Sequence, residues 1–136
     1  MIESFVDIIT SDDPDVRNQP LGPICTQASL EELLRACETL ERFRHQSDNL
    51  YEKVRALFFL YAIHRFHVTS KPGIRTRCLI PYHGYEHLLQ RRFEEAIRIF
   101  LEAQRDDGVS EAVSSALAVG YHSLGFQTLA DQVRRS

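Results

Sequence analysis

The amino-acid sequence predicts an all-α protein of about five or six helices, and three observations carry that prediction. Leu30, Leu33, Leu34, Cys37 and Leu40 recur on one side of a helical wheel, the stripe of an amphipathic helix. Ser29-Leu30-Glu31-Glu32 reads as a capping box, in which serine takes an orphan amide and the glutamate three residues on reaches back. No stretch shows the sustained polar and apolar alternation of a half-buried strand. Antiparallel helix pairs follow, stacked as a regular array or packed as an irregular bundle.

Residues 1–28 read as an N-terminal arm with at most one short helix. Within it "SDDPDVRNQPLGP", residues 11–23, is turn-forming, and Pro14 with Asp13 as cap starts no more than a single helical turn. A single helical domain spans 29–136. Its first helix runs from about 29 to 45 and stops at the polar cluster His45-Gln46-Ser47-Asp48-Asn49, which also caps the next. That second helix, about 49 to 67, is apolar on nearly every side from Val54 to Phe66, so it belongs at the centre. Residues 68–81, with a Lys71-Pro72-Gly73 turn, form a long loop.

After Pro81 the stripe resumes at Tyr85, Leu88, Leu89, Phe93, Ala96, Ile97 and Phe100 and ends at Asp106-Asp107-Gly108. Residues 83–105 read equally as one helix or as two joined at Gln90-Arg91-Arg92. Ser110 caps a further helix through Tyr121, Gly125 ends it, and Phe126 to Arg135 makes a last short one with Leu129, Ala130 and Val133 inward.

The chain has 136 residues, 43% of them hydrophobic, enough for one core but not two. With 16 basic and 19 acidic side chains and a net charge of -3, nothing calls for nucleic acid as a partner. Cys25, Cys37 and Cys78 are odd in number and show no C-x-x-C pair, which points to a reducing, cytoplasmic setting rather than a disulfide framework. No apolar run approaches the length of a membrane span.

Ala62, Ala96 and Ala130 recur at a constant interval, the first two each followed by an aromatic residue one turn later. In "ALAVGYHSLGFQTLADQVRR", Ala118, Tyr121, Leu124, Gly125 and Ala130 follow a small residue, a tyrosine, Leu-Gly at a turn, then alanine in a second helix. This resembles the tetratricopeptide repeat over residues 80–136, and more weakly over 47–67, with Gly84 at the small-residue position of the earlier unit. The resemblance implies a concave groove for an extended peptide or partner helix, lined by Tyr85, Leu88, Ser115, Val119 and His122. The lysine and asparagine set that grips a C-terminal carboxylate is missing. Such arrays end in a polar capping helix; with none before Ser136, the chain reads as part of a longer protein or assembly.

The stretch "YHGYEH" places His83, Glu86 and His87 at H-x-x-E-H spacing, which in inverted zinc peptidases supplies two imidazole ligands and a general base. Cys78 precedes His83 at C-x4-H-x3-H, a normal zinc donor set. A peptidase needs a third ligand in a mixed α/β domain, and a structural zinc a fourth, and the sequence shows neither. Metal and cofactor are therefore expected to be absent, with His83 and His87 serving the first turns of a packing helix. His64 and His67 are expected to find a carbonyl or carboxylate at a helix edge. No nucleophile elbow, P-loop or dinucleotide fingerprint occurs. Lys71, Arg75, Arg77, Arg91 and Arg92 offer an anion or acidic-partner patch, with ordinary surface ion pairs as the plainer expectation.

The expectation is a non-enzymatic protein-protein interaction or scaffold domain whose partner is a protein, a peptide or another domain of a longer chain. The alternative is an accessory or regulatory helical domain of an enzyme whose active site lies elsewhere.

Overall fold

A computed structural model describes residues 4–75 and 80–135. Among the described residues there are eight α-helices and no strand. They are α1 (Phe5–Thr10), α2 (Pro14–Arg17), α3 (Leu21–Gln27), α4 (Leu30–Gln46), α5 (Leu50–Ala62), α6 (Tyr82–Leu89), α7 (Phe93–Asp107) and α8 (Glu111–Arg135). A π-helical turn, Ile63–His67, continues α5 and passes into a 3-10 turn, Val68–Ser70. The main packing order is α4, α5, α8, α7, α6, each helix lying against the next. No described helix is long and apolar enough to cross a membrane.

The all-α expectation holds, and the count of five or six helices is too low. Three short helices occupy the first 28 residues, where one was expected. Phe5, Ile8 and Ile9 of α1 share one face and are buried against α4 and α5, with Phe5 edge-on to Phe59 at 5.9 Å. Their burial removes apolar surface worth about 2 kcal/mol per side chain. α1 is thus part of the core, while α2 buries no residue.

The caps read from sequence are present. Ser29 accepts from the Glu32 amide at 3.1 Å while Glu32 accepts from the Ser29 amide at 3.0 Å. Asn49 caps α5, and the buried Ser110 hydroxyl accepts from the Val113 amide at 3.1 Å to cap α8. Gly108, at φ 88, stops α7.

Residues 83–105 form two helices. The turn between them is a Schellman cap: the Arg92 amide donates to the His87 carbonyl at 2.8 Å and the Arg91 amide to Leu88 at 3.1 Å. Arg91 takes the left-handed position at φ 63, a place where glycine is preferred because a side chain crowds the following carbonyl.

Gly125, expected to end a helix, lies inside the continuous α8. A Cβ there would meet Phe58 ring atoms at 3.0 to 3.3 Å, so this glycine admits a neighbouring ring rather than a turn. The two-helix unit read into 118–130 is one helix, and Leu129, Ala130 and Val133, expected to point inward, lie exposed on it. Gly84 also permits a close crossing: a Cβ there would stand 2.6 Å from Cε1 of Phe100, which presses α6 onto α7.

In the loop after Ser70, the Arg75 amide donates to the Val109 carbonyl at 2.9 Å and the Glu111 amide to the Arg75 carbonyl at 3.0 Å. This stitches the loop to the α7–α8 connection.

Candidate interaction surfaces

Two faces of the molecule carry side chains that the core does not explain. On the first, Arg44 projects from the last turns of α4 and is buried between two carboxylates. Its Nε and Nη2 donate to Glu41 at 2.7 and 2.9 Å, and its Nη1 and Nη2 to Glu94 of α7 at 2.9 and 2.8 Å. Tyr121 of α8 donates its hydroxyl to Glu41 at 2.8 Å, and His45 Nε2 lies 3.0 Å from the same carboxylate.

Burial pushes the Glu41 carboxyl up, but the hydrogen bonds and charge of Arg44, with the bonds from Tyr121 and His45, hold it below the ordinary range. Burial likewise pulls Arg44 down, and Glu94 and Glu41 more than reverse this. Tyr121 is pushed well up, by burial first and then by the Glu41 charge. These directions describe a locked ion network joining α4, α7 and α8. Beside it the cleft between α4 and α7 opens into two hollows of about 400 and 410 Å³ that share Glu41, Leu101 and Arg105.

His64, in the π-helical turn, is fully buried and lies nearly parallel to the Tyr121 ring, 5.8 Å away at 17°. The expected carbonyl or carboxylate partner is not there: neither ring nitrogen bonds any described atom. Burial brings its pKa down to about 4, against a smaller opposing pull from Glu41, so it is neutral near pH 7. Cys25 and Cys37 are free, buried thiols. Burial pushes Cys25 up to about 11 and Cys37 still further, and such thiols are poor nucleophiles.

His83 is exposed on α6, while His87 is half-buried with its Nδ1 bonding no described atom. Cys78 lies outside the described residues, among which no group of three or more His, Cys, Asp or Glu is placed to hold a metal. The cationic residues do not form one patch. Lys71 donates to the Thr26 carbonyl at 3.0 Å. Arg75 is held at the C-terminal end of α7, whereas Arg91 and Arg92 precede its N-terminus, about 22 Å away along a helix of this length. Arg91 lies over Phe93, and Arg92 donates to Gln90. Arg77 is outside the described residues.

The second face runs along α5, the π-helical turn and α8. Phe66, Tyr61, His122, Phe126 and Phe58 form an unbroken string of rings, each within 6.0 Å of the next. In an α-helix, residues five apart point about 140° from each other. The wide turn, closed by the Val68 amide on the Ile63 carbonyl, is what lets Phe66 meet Tyr61 at 5.9 Å.

Although the string is internally packed, Phe66 and Phe126 remain 55% and 56% exposed, and Tyr51 and Val119 beside them 54% and 51%. On α8 the continuous helix aligns Ser115, Val119, His122, Phe126, Leu129 and Val133 in alternating steps of four and three, the seam of a helix-packing stripe. At its C-terminal end a hollow of about 500 Å³ opens between α5 and α8, lined by Leu50, Tyr51, Val54, Phe58 and Leu129 among others.

The five residues expected to share a groove are divided. Ser115, Val119 and His122 lie on the α8 stripe, and the ring neighbours of His122 are on α5 and α8. Tyr85 and Leu88 sit on α6, which packs against α7, with Leu88 turned to the core. Phe58, Tyr61, Phe66, Phe126 and Leu129 were not among the residues expected from sequence. The signal for the α8 members was the same four-and-three spacing, hidden by placing a helix end at Gly125. Compared with known protein families, curated proteins and solved structures, the chain matches none of them.

Proposed function

We propose that the chain is a non-catalytic protein-interaction module that binds through the aromatic face of α5 and α8. The observation that carries this reading is the string of five rings, of which Phe66 and Phe126 stay more than half exposed. Apolar patches of this extent on soluble proteins mark interaction sites, because water disfavours them unless another surface covers them. Aromatic residues also dominate interface energetics, offering large area at small entropic cost.

The locked Glu41–Arg44–Glu94 network supports the same assignment of roles, since its hydrogen-bonding groups are already engaged within the chain. Binding assays with the wild type, Phe126→Glu, and an Arg98→Glu/Arg105→Glu control on the α4–α7 cleft test the proposal. Partners retained by the wild type and the control but lost from Phe126→Glu are expected. Equal retention by all three would reject the aromatic face as the binding surface.

A further inference from the structure

Building on the interaction reading, we infer that the occupant of the aromatic face is a second copy of this chain, related by a two-fold axis crossing α8 at Phe126. Three features lead there. The first is that the face carries both a projection and a hollow. Phe66 stands at one end, and the apolar hollow bounded by Leu50 and Leu129 at the other. Phe58, whose ring packs on Phe126 and over Gly125, lies between them. Phe66 follows Phe58 by eight residues and Leu50 precedes it by eight, so each end lies about 12 Å from the centre.

An axis in the plane of the face and perpendicular to α8 reverses the helix direction but keeps α5 on the same side. It therefore sets Phe66 of each copy over the hollow of the other. A two-fold interface requires this self-complementarity, since one patch must serve both sides.

The second feature is the seam. Val119 and Val133 lie seven residues either side of Phe126, so antiparallel pairing of two α8 helices sets Val119 of one copy against Val133 of the other, in coiled-coil spacing.

The third is area. With about 200 Å² for an aromatic side chain and somewhat less for an aliphatic one, the exposed parts of Tyr51, Phe66, Val119, Phe126, Leu129 and Val133 offer on the order of 600 Å² of apolar surface. A standard interface covers about 800 Å² per partner, so these six side chains alone offer roughly three quarters of what one needs.

Sedimentation of the full chain between about 1 and 200 µM tests the inference. The expected result is a concentration-dependent shift to twice the chain mass. Phe126→Glu and Phe66→Glu, each helical by circular dichroism, should weaken self-association at least tenfold. Orientation is read by cross-linking in a Cys78→Ser background: Val119→Cys mixed with Val133→Cys should form a disulfide-linked dimer, and Val119→Cys alone should not, its two copies being about 21 Å apart. A wild type that stays monomeric at the highest concentration overturns the inference, as does a dimer indifferent to both glutamate variants, or cross-linking of Val119→Cys with itself. A monomer that still loses a different protein partner on Phe126→Glu overturns the second-copy inference alone and leaves the interaction reading standing.

Discussion

Glu41 on the α4 side and Phe126 on the α5–α8 side each sit at the centre of a cluster, and the clusters are finished in different ways. Glu41 accepts from Arg44 twice and from Tyr121, with His45 against its Oε2, and Arg44 donates twice more to Glu94. Phe126 touches Phe58 and His122 edge-on yet keeps more than half its surface in water. A hydrogen-bonding group is satisfied by a few partners at fixed geometry, so a network can close on itself within one chain. Apolar surface is relieved only by being covered, and among the described residues no further helix covers the outer side of Phe66 and Phe126. The first cluster is therefore closed within the fold, and the second is the face proposed above for association.

The comparison breaks most readily at Arg44. Arg44→Ala leaves Glu41 partly buried against Glu94 without a counter-charge and is expected to cost about 4 kcal/mol of stability in urea unfolding. Arg44→Met, which keeps the packing, should cost less. A loss under about 1 kcal/mol for the alanine variant would show that the network contributes little beyond an exposed ion pair.

Next comes His64, between the two faces. Its folded pKa of about 4 lies below the unfolded value of about 6.5. Above pH 6.5 both states are neutral there and the residue adds no pH dependence. As pH falls below 6.5 the unfolded chain takes the proton first, so stability drops by about 1.4 kcal/mol per unit, levelling near pH 4 after about 3 kcal/mol. The difference between wild type and His64→Phe across pH 7 to 4 should show that slope; parallel curves would place the imidazole in contact with solvent.

Smaller effects separate the glycines. Gly84→Ala drives a methyl group into the buried Phe100 ring; overpacking outweighs the gain in helix propensity and the net loss is about 1 kcal/mol in thermal unfolding. At Gly125 the opposing Phe58 is only half-buried and can give way, so Gly125→Ala should be neutral or slightly stabilising. The smallest change is expected from Phe126→Glu at concentrations where the chain is monomeric, within about 0.5 kcal/mol. A larger loss would make Phe126 a fold residue and weaken the contrast between the faces.

Much of the fold was legible because it rests on local chemistry. The Ser29 box, the Asn49 and Ser110 caps and the Gly108 stop each depend on residues within one turn. Arg91 was ambiguous for the opposite reason: a left-handed cap in an arginine carries no compositional signal. Phe5, Ile8 and Ile9 had the right spacing for a buried face but lay in a segment too short to stand as a helix without α4 and α5 beneath it. Gly125 misled because glycine ends helices and also admits close neighbours, and only the Phe58 ring distinguishes the two uses. That error divided the α8 stripe and with it the candidate site.

Periodicity and capping, which act between residues three to five apart, were enough to make the chain helical, to start α4, α5 and α8, and to turn the stripes of α4 and α7 inward, but not to orient the last turns of α8. The tertiary structure alone decided the rest. The wide turn that brings Phe66 onto Tyr61, the ion network joining Glu41 to Glu94 and Tyr121, and the exposed string of rings all depend on how helices distant in sequence pack. No local pattern encodes such a surface, because it consists of what packing leaves uncovered.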